Sequence, residues 1–184
     1  METLIAISLL LLAITGPMVF AQNALRAAFN SRDQVTAFYL AQDAIELVKN
    51  VRDNNVLSGK TAVSGEKYWL SYLENCDTAS GGCSVDTSTP LGDFMPCETA
   101  DNPGCLGEAS DASQDVHLKI KDSAVIGHNG EDESIFSRVV YIDSQNLDEA
   151  KITVKVRWKS HDNIGARDIT VVEYIYNWAN TIIN

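Results

Sequence analysis

Four cysteines in the 184-residue chain could form disulfides or bind a metal ion: Cys76, Cys83, Cys97 and Cys105. Four cysteines allow three disulfide pairings. Local pairing, Cys76 with Cys83 and Cys97 with Cys105, is favoured because each bridge closes a short loop, which restrains the unfolded chain by about 2–3 kcal/mol. Zinc sites favour close pairs two to four residues apart, and these spacings are wider. The pattern therefore predicts disulfides and an oxidising compartment.

The remaining candidates for chemistry are weaker. The three histidines, His117, His128 and His161, lack metal-ligand spacing. Residues 128–133 form a turn with three adjacent carboxylates, but the ligand spacing of a calcium loop is absent, so a solvated acidic turn is favoured. The sequence has no GxSxG elbow, P-loop, HExxH helix or Gly-rich dinucleotide turn. We expect no enzymatic activity, no metal site and no cofactor.

One carboxylate, Glu2, directly precedes an uncharged segment from Thr3 to Leu25. As a helix this segment would reach ~35 Å, enough to cross a bilayer core of roughly 30 Å. A signal peptide would instead have a basic start and a shorter apolar centre, whereas the first positive side chain here is Arg26. Burying Glu2 in hydrocarbon costs on the order of 3 kcal/mol, so its position predicts a charged partner.

The helical pattern continues past the apolar segment and sets the first domain boundary. Apolar residues recur every three or four positions, which indicates one buried stripe of an amphipathic helix; they are Val35, Phe38, Ala41, Ile45 and Val48. We therefore expect one helix from Glu2 to about Asn54, ~80 Å long. This divides the chain into a helical unit, 1–54, and a globular β-rich head with disulfide loops, 55–184.

The last third of the chain predicts strands. Apolar and polar residues alternate around 116–121, 152–159 and 169–178, and 135–142 is rich in β-formers. The fold class is α+β: a long N-terminal α-helix packed on a C-terminal antiparallel β-sheet, with a disulfide-stapled loop region between them. The row Lys155, Arg157 and Lys159 is expected to face solvent, with a neighbouring subunit as the alternative.

The net charge of −11 is uneven. Residues 56–133 hold 4 positive and 14 negative side chains, a sum of −10, so the middle third presents an acidic, solvated surface. A protein that binds a phosphate backbone needs clustered Lys and Arg, so nucleic-acid binding is disfavoured. A small DNA-binding patch formed by few residues is the alternative.

The N-terminal segment resembles type IV pilins and the pseudopilins of type II secretion. The match is the run from Glu2 through Thr3, Leu4, Ile5, Ala6, Ile7, Ser8 and Leu9 to Leu10, together with Gly16 and Pro17 in mid-run. The resemblance covers about fifty-five residues closely. Family members carry a basic leader and a few residues before the glutamate, whereas Met1 directly precedes Glu2 here. We expect that the natural start lies upstream; trimming or a different maturation are the alternatives.

The resemblance implies roles for named residues. Glu2 would set the register of a filament by pairing with an amine such as that of Met1 on an adjacent subunit. Gly16 and Pro17 would kink or melt the helix during assembly. One apolar face would pack in the filament core: Leu4, Ile7, Leu11, Ile14 and Met18.

The implied function is that of a structural subunit of an extracellular type IV pilus, membrane-inserted before assembly. The implied partners are identical subunits, inner-membrane assembly machinery and a prepilin peptidase. A minor pilin or a type II pseudopilin is the alternative within the family. A single-pass, membrane-anchored binding ectodomain that never polymerises is the alternative from another class. Glu2 separates the classes, because a plain anchor has no use for it.

Overall fold

A single long helix is the largest element of the structure, which is a computed structural model. The helix, α1, runs from Glu2 to Leu57 and, at 56 residues, is ~84 Å long. It ends where Gly59 adopts the left-handed conformation, with φ of 79°, and its amide donates to the Val56 carbonyl at 3.0 Å. The described residues are 2–59, 62–63, 66–87, 91–99, 102–103, 105–106, 116–121, 124–127, 132–159 and 165–178.

Eleven strands and one 3₁₀ turn follow α1 within these residues. In chain order they are β1 (Ala62–Val63), β2 (Glu66–Lys67), the 3₁₀ turn (Tyr68–Leu70), β3 (Cys83–Asp86), β4 (Asp93–Pro96), β5 (Glu98–Thr99), β6 (Asn102–Pro103), β7 (His117–Lys121), β8 (Ala124–Gly127), β9 (Asp132–Ser144), β10 (Glu149–Lys159) and β11 (Ala166–Tyr176).

Seven of the strands form one antiparallel sheet in the order β11-β10-β9-β3-β4, and β7 joins β9 and carries β8. The pairs β1-β2 and β5-β6 form two small ribbons. The central strand β9 pairs with β10 along one edge and with β7 and β3 along the other. The structure confirms the predicted α+β fold, with the helix packed on an antiparallel sheet and disulfides in the region between them.

The alternation of apolar and polar residues explains why β10 packs on α1. Ala150, Ile152, Val154, Val156 and Trp158 are all buried on the face toward α1. A strand turns successive side chains to opposite faces, so this spacing gives β10 a continuous apolar face. In β11 the same rule places Ile175 in the core and leaves its neighbours Tyr174 and Tyr176 about half exposed. The predicted alternation of both strands is therefore confirmed.

The buried stripe of α1 begins at Asp33 and differs in part from the predicted one. Ala41, Ile45 and Val48 are buried as expected. Val35 and Phe38, which were predicted to pack against the head, are instead exposed, at 54% and 48%. The sheet approaches a neighbouring face lined by small side chains and one leucine, because alanines let a strand lie close to the helix; this face includes Ala37, Leu40 and Ala44.

Two disulfides, each between cysteines close in sequence, attach the middle of the chain to the two faces of the sheet. Cys76 is bonded to Cys83 and Cys97 to Cys105, the favoured pairing, with Cα–Cα distances of 4.9 and 5.0 Å. The first bridge lies in the main core against α1. The second packs with Val139 on the opposite face of β9.

The outer face of the sheet is therefore not uniformly solvated. Lys159 is exposed as predicted, but Arg157 of the same row is buried, and Lys155 is partly buried beside Asp168, 3.4 Å from its carboxylate. The predicted solvent-facing row is wrong at Arg157. On this face Leu106 and Tyr141 pack around the second disulfide and Val139.

A buried arginine on β9 fixes the sheet to the helix. The fully buried guanidinium of Arg138 donates to the Leu40 carbonyl of α1 at 2.8 Å and to the Val85 carbonyl of β3 at 2.6 Å. The Asp43 carboxylate lies 3.4 Å away. Burial lowers the pKa of Arg138, and the charges of Asp43 and Asp86 oppose this shift. The arginine thus joins three elements at one point inside the head.

A second link from helix to sheet lies nearer the surface. The Lys49 ammonium on α1 is 2.7 Å from the Glu173 carboxylate on β11 and 3.4 Å from Glu46. The hydrogen bond to Glu173 raises the pKa of Lys49. Because both groups are partly solvated, the pair aligns β11 on the helix more than it stabilises the fold.

Replacing Arg138 with Met should destabilise the head by about 3–5 kcal/mol, because the Leu40 and Val85 carbonyls lose their donor and the buried Asp86 loses a nearby cation. Guanidinium unfolding of the full chain in detergent micelles, followed by tryptophan fluorescence, measures the loss. The control is Lys159→Met on the exposed end of β10, which should change stability by less than about 0.5 kcal/mol. Equal stability of the two variants would contradict a structural role for Arg138.

Candidate membrane and assembly interface

The first half of α1 extends beyond the head. Residues 2–29 are all exposed, and Asp33 is the first buried residue of the helix. The segment from Glu2 to Arg32 is thus ~46 Å long. It contains an 18-residue window with a mean hydropathy of 2.4, none of which is buried in the molecule. By length and composition this helix can cross a membrane.

The five predicted core-packing residues lie in this exposed segment. Leu4, Ile7, Leu11, Ile14 and Met18 are 55–68% exposed. Their spacing of three and four places them along one side of the helix. Other large apolar side chains, among them Leu9, Leu12 and Phe20, cover the remaining sides. The segment is therefore apolar all round, as a helix that lies in lipid or in a polymer core must be. The packing role of the five residues stays a prediction.

Glu2 lies in the first turn of α1 and is exposed. A carboxylate at this position interacts favourably with the unpaired amides of the helix N-terminus. Within the described part of the chain, no cationic side chain reaches ion-pair distance of Glu2. Its predicted partner, Met1, lies outside the described residues. A charged partner for Glu2 would therefore come from another molecule or from that terminus.

Gly16 and Pro17 lie inside a helix that continues through them. Proline has no amide hydrogen, so the carbonyl of Ala13 loses its usual acceptor role in the helical ladder. A side chain added at Gly16 would contact nothing within 4 Å, so space does not require glycine there. The pair thus weakens this turn of the helix without breaking it in the free subunit. Its predicted part in helix melting stays a prediction.

Charged side chains mark the end of the apolar segment. Arg26 follows Leu25, and Arg32 lies over the ring of Phe29, with its guanidinium carbon 5.5 Å from the ring centroid. Arg32 also contacts the buried Asp33 at 3.2 Å. Arginine and aromatic side chains are common where helices leave a bilayer. The boundary between hydrocarbon and water would therefore fall near Arg26.

Beyond that boundary α1 still exposes apolar surface. Val35 and Phe38 lie ~15 and ~20 Å past Leu25, whereas the headgroup layer is only about 5–8 Å thick on each side. Phe38 also packs edge-on against exposed Tyr39, with ring centroids 6.5 Å apart. About half or more of each of these side chains is exposed in the free subunit. Sequence periodicity had assigned Val35 and Phe38 to the head, so it missed this exposed patch, Val35, Phe38 and Tyr39.

The weaker sequence candidates gain no support as metal ligands. His117 lies 3.2 Å from the hydroxyl of Ser137 through Nδ1, a contact inside the sheet. His128 and His161 lie outside the described residues, as does most of the acidic turn 128–133. Among the described residues, no group of three or more His, Cys, Asp or Glu side chains could hold a metal ion.

Comparison with known proteins returned no match: no family model, curated protein or solved structure is similar to this chain. The long apolar N-terminal helix, packed on the sheet through its second half, is the part of the pilin resemblance that the structure displays.

Replacing Pro17 with Ala should restore a helical hydrogen bond to the Ala13 carbonyl and stabilise this turn by up to about 3 kcal/mol. Deuterium exchange of residues 13–21 in detergent micelles should slow accordingly. Gly16→Ala serves as the graded comparison, with an expected gain of about 1 kcal/mol. Unchanged exchange in Pro17→Ala would contradict the view that this turn is primed to melt.

Proposed function

We propose that this chain is a structural subunit of an extracellular filament of the type IV pilus kind, which polymerises through the first half of α1. The observation that carries the proposal is the exposed patch of Val35, Phe38 and Tyr39. A plain membrane anchor gains nothing from apolar side chains held in water ~15–20 Å beyond the bilayer core. A polymer buries them against the helices of neighbouring subunits.

Assembly would transfer the apolar segment from lipid to a core of packed helices. Both environments are apolar, so the transfer depends on close packing and on specific polar contacts more than on the hydrophobic effect. A carboxylate is costly in lipid and is stabilised in a protein core by a buried cation. Glu2 would supply that specific contact and set the axial register between subunits, and the heads would form the exterior.

The disulfides and the apolar helix agree with the two compartments in which an assembling subunit would reside. The helix is suited to membrane insertion before assembly, and the disulfide-bonded head to an oxidising space. We propose that assembly machinery in the inner membrane and a prepilin peptidase act on the chain, and that the chain has no enzymatic activity of its own.

Two alternatives predict different locations for the chain. A minor pilin or type II pseudopilin would polymerise but would occur only sparsely in filaments. A membrane-anchored binding ectodomain would not occur in filaments at all. Shearing filaments from the source cells and identifying their subunits by mass spectrometry distinguishes the three. The proposal expects this chain as the dominant subunit.

Glu2→Gln keeps the shape of the side chain and removes its charge, so it should leave a buried amine partner without a counterion. We expect sheared filaments to fall by more than tenfold, since an unpaired buried charge costs about 3–5 kcal/mol. The amount in the membrane fraction should not change. The control is Glu74→Gln on the exposed head surface, which should assemble normally. If Glu2→Gln assembles normally, charge pairing at Glu2 does not set the axial register between subunits.

A double substitution, Val35→Ser with Phe38→Ser, tests the exposed patch. Because both side chains face water in the free subunit, the head should fold with unchanged stability. Filament yield should fall by at least tenfold, as burying each side chain in a polymer is worth about 1.5–3 kcal/mol. Leu57→Ser, at an exposed apolar site at the other end of α1, provides the matched control. Full assembly of the double variant would favour the anchored ectodomain.

A further inference from the structure

A groove opens on the head at the end of α1 farthest from the apolar segment. It lies between the last turns of α1, the turn after the 3₁₀ segment and β4, and has a volume of about 520 Å³. Pockets for small ligands span about 300–1,000 Å³. Asn54, one of its lining residues, lies 29 positions after Leu25 and thus ~44 Å from the membrane boundary. The groove therefore lies well outside the bilayer.

The floor of the groove is apolar and shallow. Val51 of α1 is buried there, and Phe94 of β4 is partly buried beside it. Gly92, with φ of 70°, lies directly on Leu47, and a Cβ at Gly92 would overlap the leucine side chain. Only glycine allows the chain to pass so close to the helix at this φ. This approach brings the start of β4 close to α1 at the edge of the groove.

An aromatic ring stands at the rim. Tyr72 is the only non-glycine residue with positive φ in the described part of the chain, at 75°, and it is 75% exposed. The buried Asn55 side chain holds the preceding turn by donating to the carbonyls of Trp69 and Ser71 at 3.2 and 2.8 Å. A left-handed tyrosine costs about 1–3 kcal/mol. Tyr72 thus combines a strained backbone with a largely exposed aromatic side chain at the groove.

The polar groups around the rim are mainly hydrogen-bond acceptors. The Asn54 amide nitrogen donates to the backbone and side-chain oxygens of Asn50 at 2.9 and 2.7 Å, so the amide group has its Oδ1, an acceptor, to offer to a ligand. Ser58 donates to the Asn54 carbonyl at 2.6 Å, which leaves its hydroxyl oxygen to accept. Asp93 adds a carboxylate. Such a rim suits a ligand rich in hydroxyl donors.

The charge of the groove and of the whole chain limits the kinds of ligand that the groove could bind. None of the groove's described lining residues is a lysine or arginine, and Asp93 is the charged member. The whole chain carries a net charge of −11. Phosphate, sulfate and acidic glycans would therefore be repelled, because they lack a cationic partner here. A neutral ligand with many hydroxyl groups and one apolar face matches the groove.

We propose that this groove binds a neutral carbohydrate. One sugar ring stacks its apolar face on Tyr72, and its hydroxyl groups donate to Asp93 and Asn54. Phe94, which is only partly buried, contacts the less polar side of the next ring. The inference does not depend on polymerisation, because every residue involved belongs to one subunit and lies outside the exposed first half of α1.

The test uses the full chain in a zwitterionic detergent, since detergents with sugar headgroups would compete for the groove. Binding is measured on an array of immobilised neutral oligosaccharides, and affinity for each hit is then measured by calorimetry. Tyr72→Gly removes the ring and suits the positive φ, so the fold should be retained. Asp93→Asn removes the carboxylate charge at constant shape. Tyr68→Ala, at an exposed tyrosine outside the groove lining, is the control.

The expected result is a neutral oligosaccharide that binds the parent chain and Tyr68→Ala equally. Tyr72→Gly and Asp93→Asn should each weaken it by about tenfold or more, in line with the loss of a stacked ring or a charged hydrogen bond. Glu2→Gln should bind as the parent does, which separates this inference from the proposed filament.

Three results would overturn the proposal: no neutral oligosaccharide bound, binding that both groove variants retain, or occupation of the groove by a peptide or a second copy of the chain instead.

Discussion

The apolar surface of α1 from Leu4 to Phe38 must leave water, and the head of the same chain covers almost none of it. Burying one leucine or isoleucine side chain is worth about 1.5–3 kcal/mol, and more than ten large apolar side chains are exposed before Asp33. A lipid bilayer can cover the stretch up to Leu25, over ~35 Å. Val35 and Phe38 lie beyond its reach. Only protein surface from other molecules can cover the whole stretch at once, which is the physical basis for the proposed polymer.

The head meets a different requirement at the second half of the same helix. Ala37, Ala41 and Ala44 have no exposed surface, and their small side chains let the sheet approach α1 closely. Close approach alone does not fix the orientation of a sheet on a smooth helix face. Arg138 supplies the orientation, because its guanidinium reaches one carbonyl on α1 and another on β3. A buried cation contributes little net stability but is costly to misplace, so it acts mainly to specify one docking geometry.

Much of this fold could be predicted from sequence because its signals are local. The uncharged segment, the alternation in β10 and the short cysteine spacings each depend on neighbouring residues, and each is confirmed. The errors occurred where a distant segment decides burial. Val35 and Phe38 fit a helical stripe, but the sheet packs on the alanine side of α1. Arg157 fits a solvated row, but it is buried, and the second disulfide packs with Leu106 and Tyr141 on that face of the sheet. Arg138 and Tyr72 carry no pattern in sequence, since a buried guanidinium and a left-handed tyrosine are visible only in three dimensions.

The distribution of charge limits how such heads could lie side by side. Residues 56–133 carry a net charge of −10, and like charges in contact repel over a screening length of about 8 Å at physiological salt. Residues 134–184 are neutral, with six positive and six negative side chains, and β11 exposes Val172, Tyr174 and Tyr176 along an edge of the sheet. Packed heads would therefore be more stable with the acidic middle third turned outward and the neutral sheet turned toward neighbours. Tyr72 and Asp93 belong to that acidic third, so the same arrangement would leave the groove that they line with α1 accessible from outside.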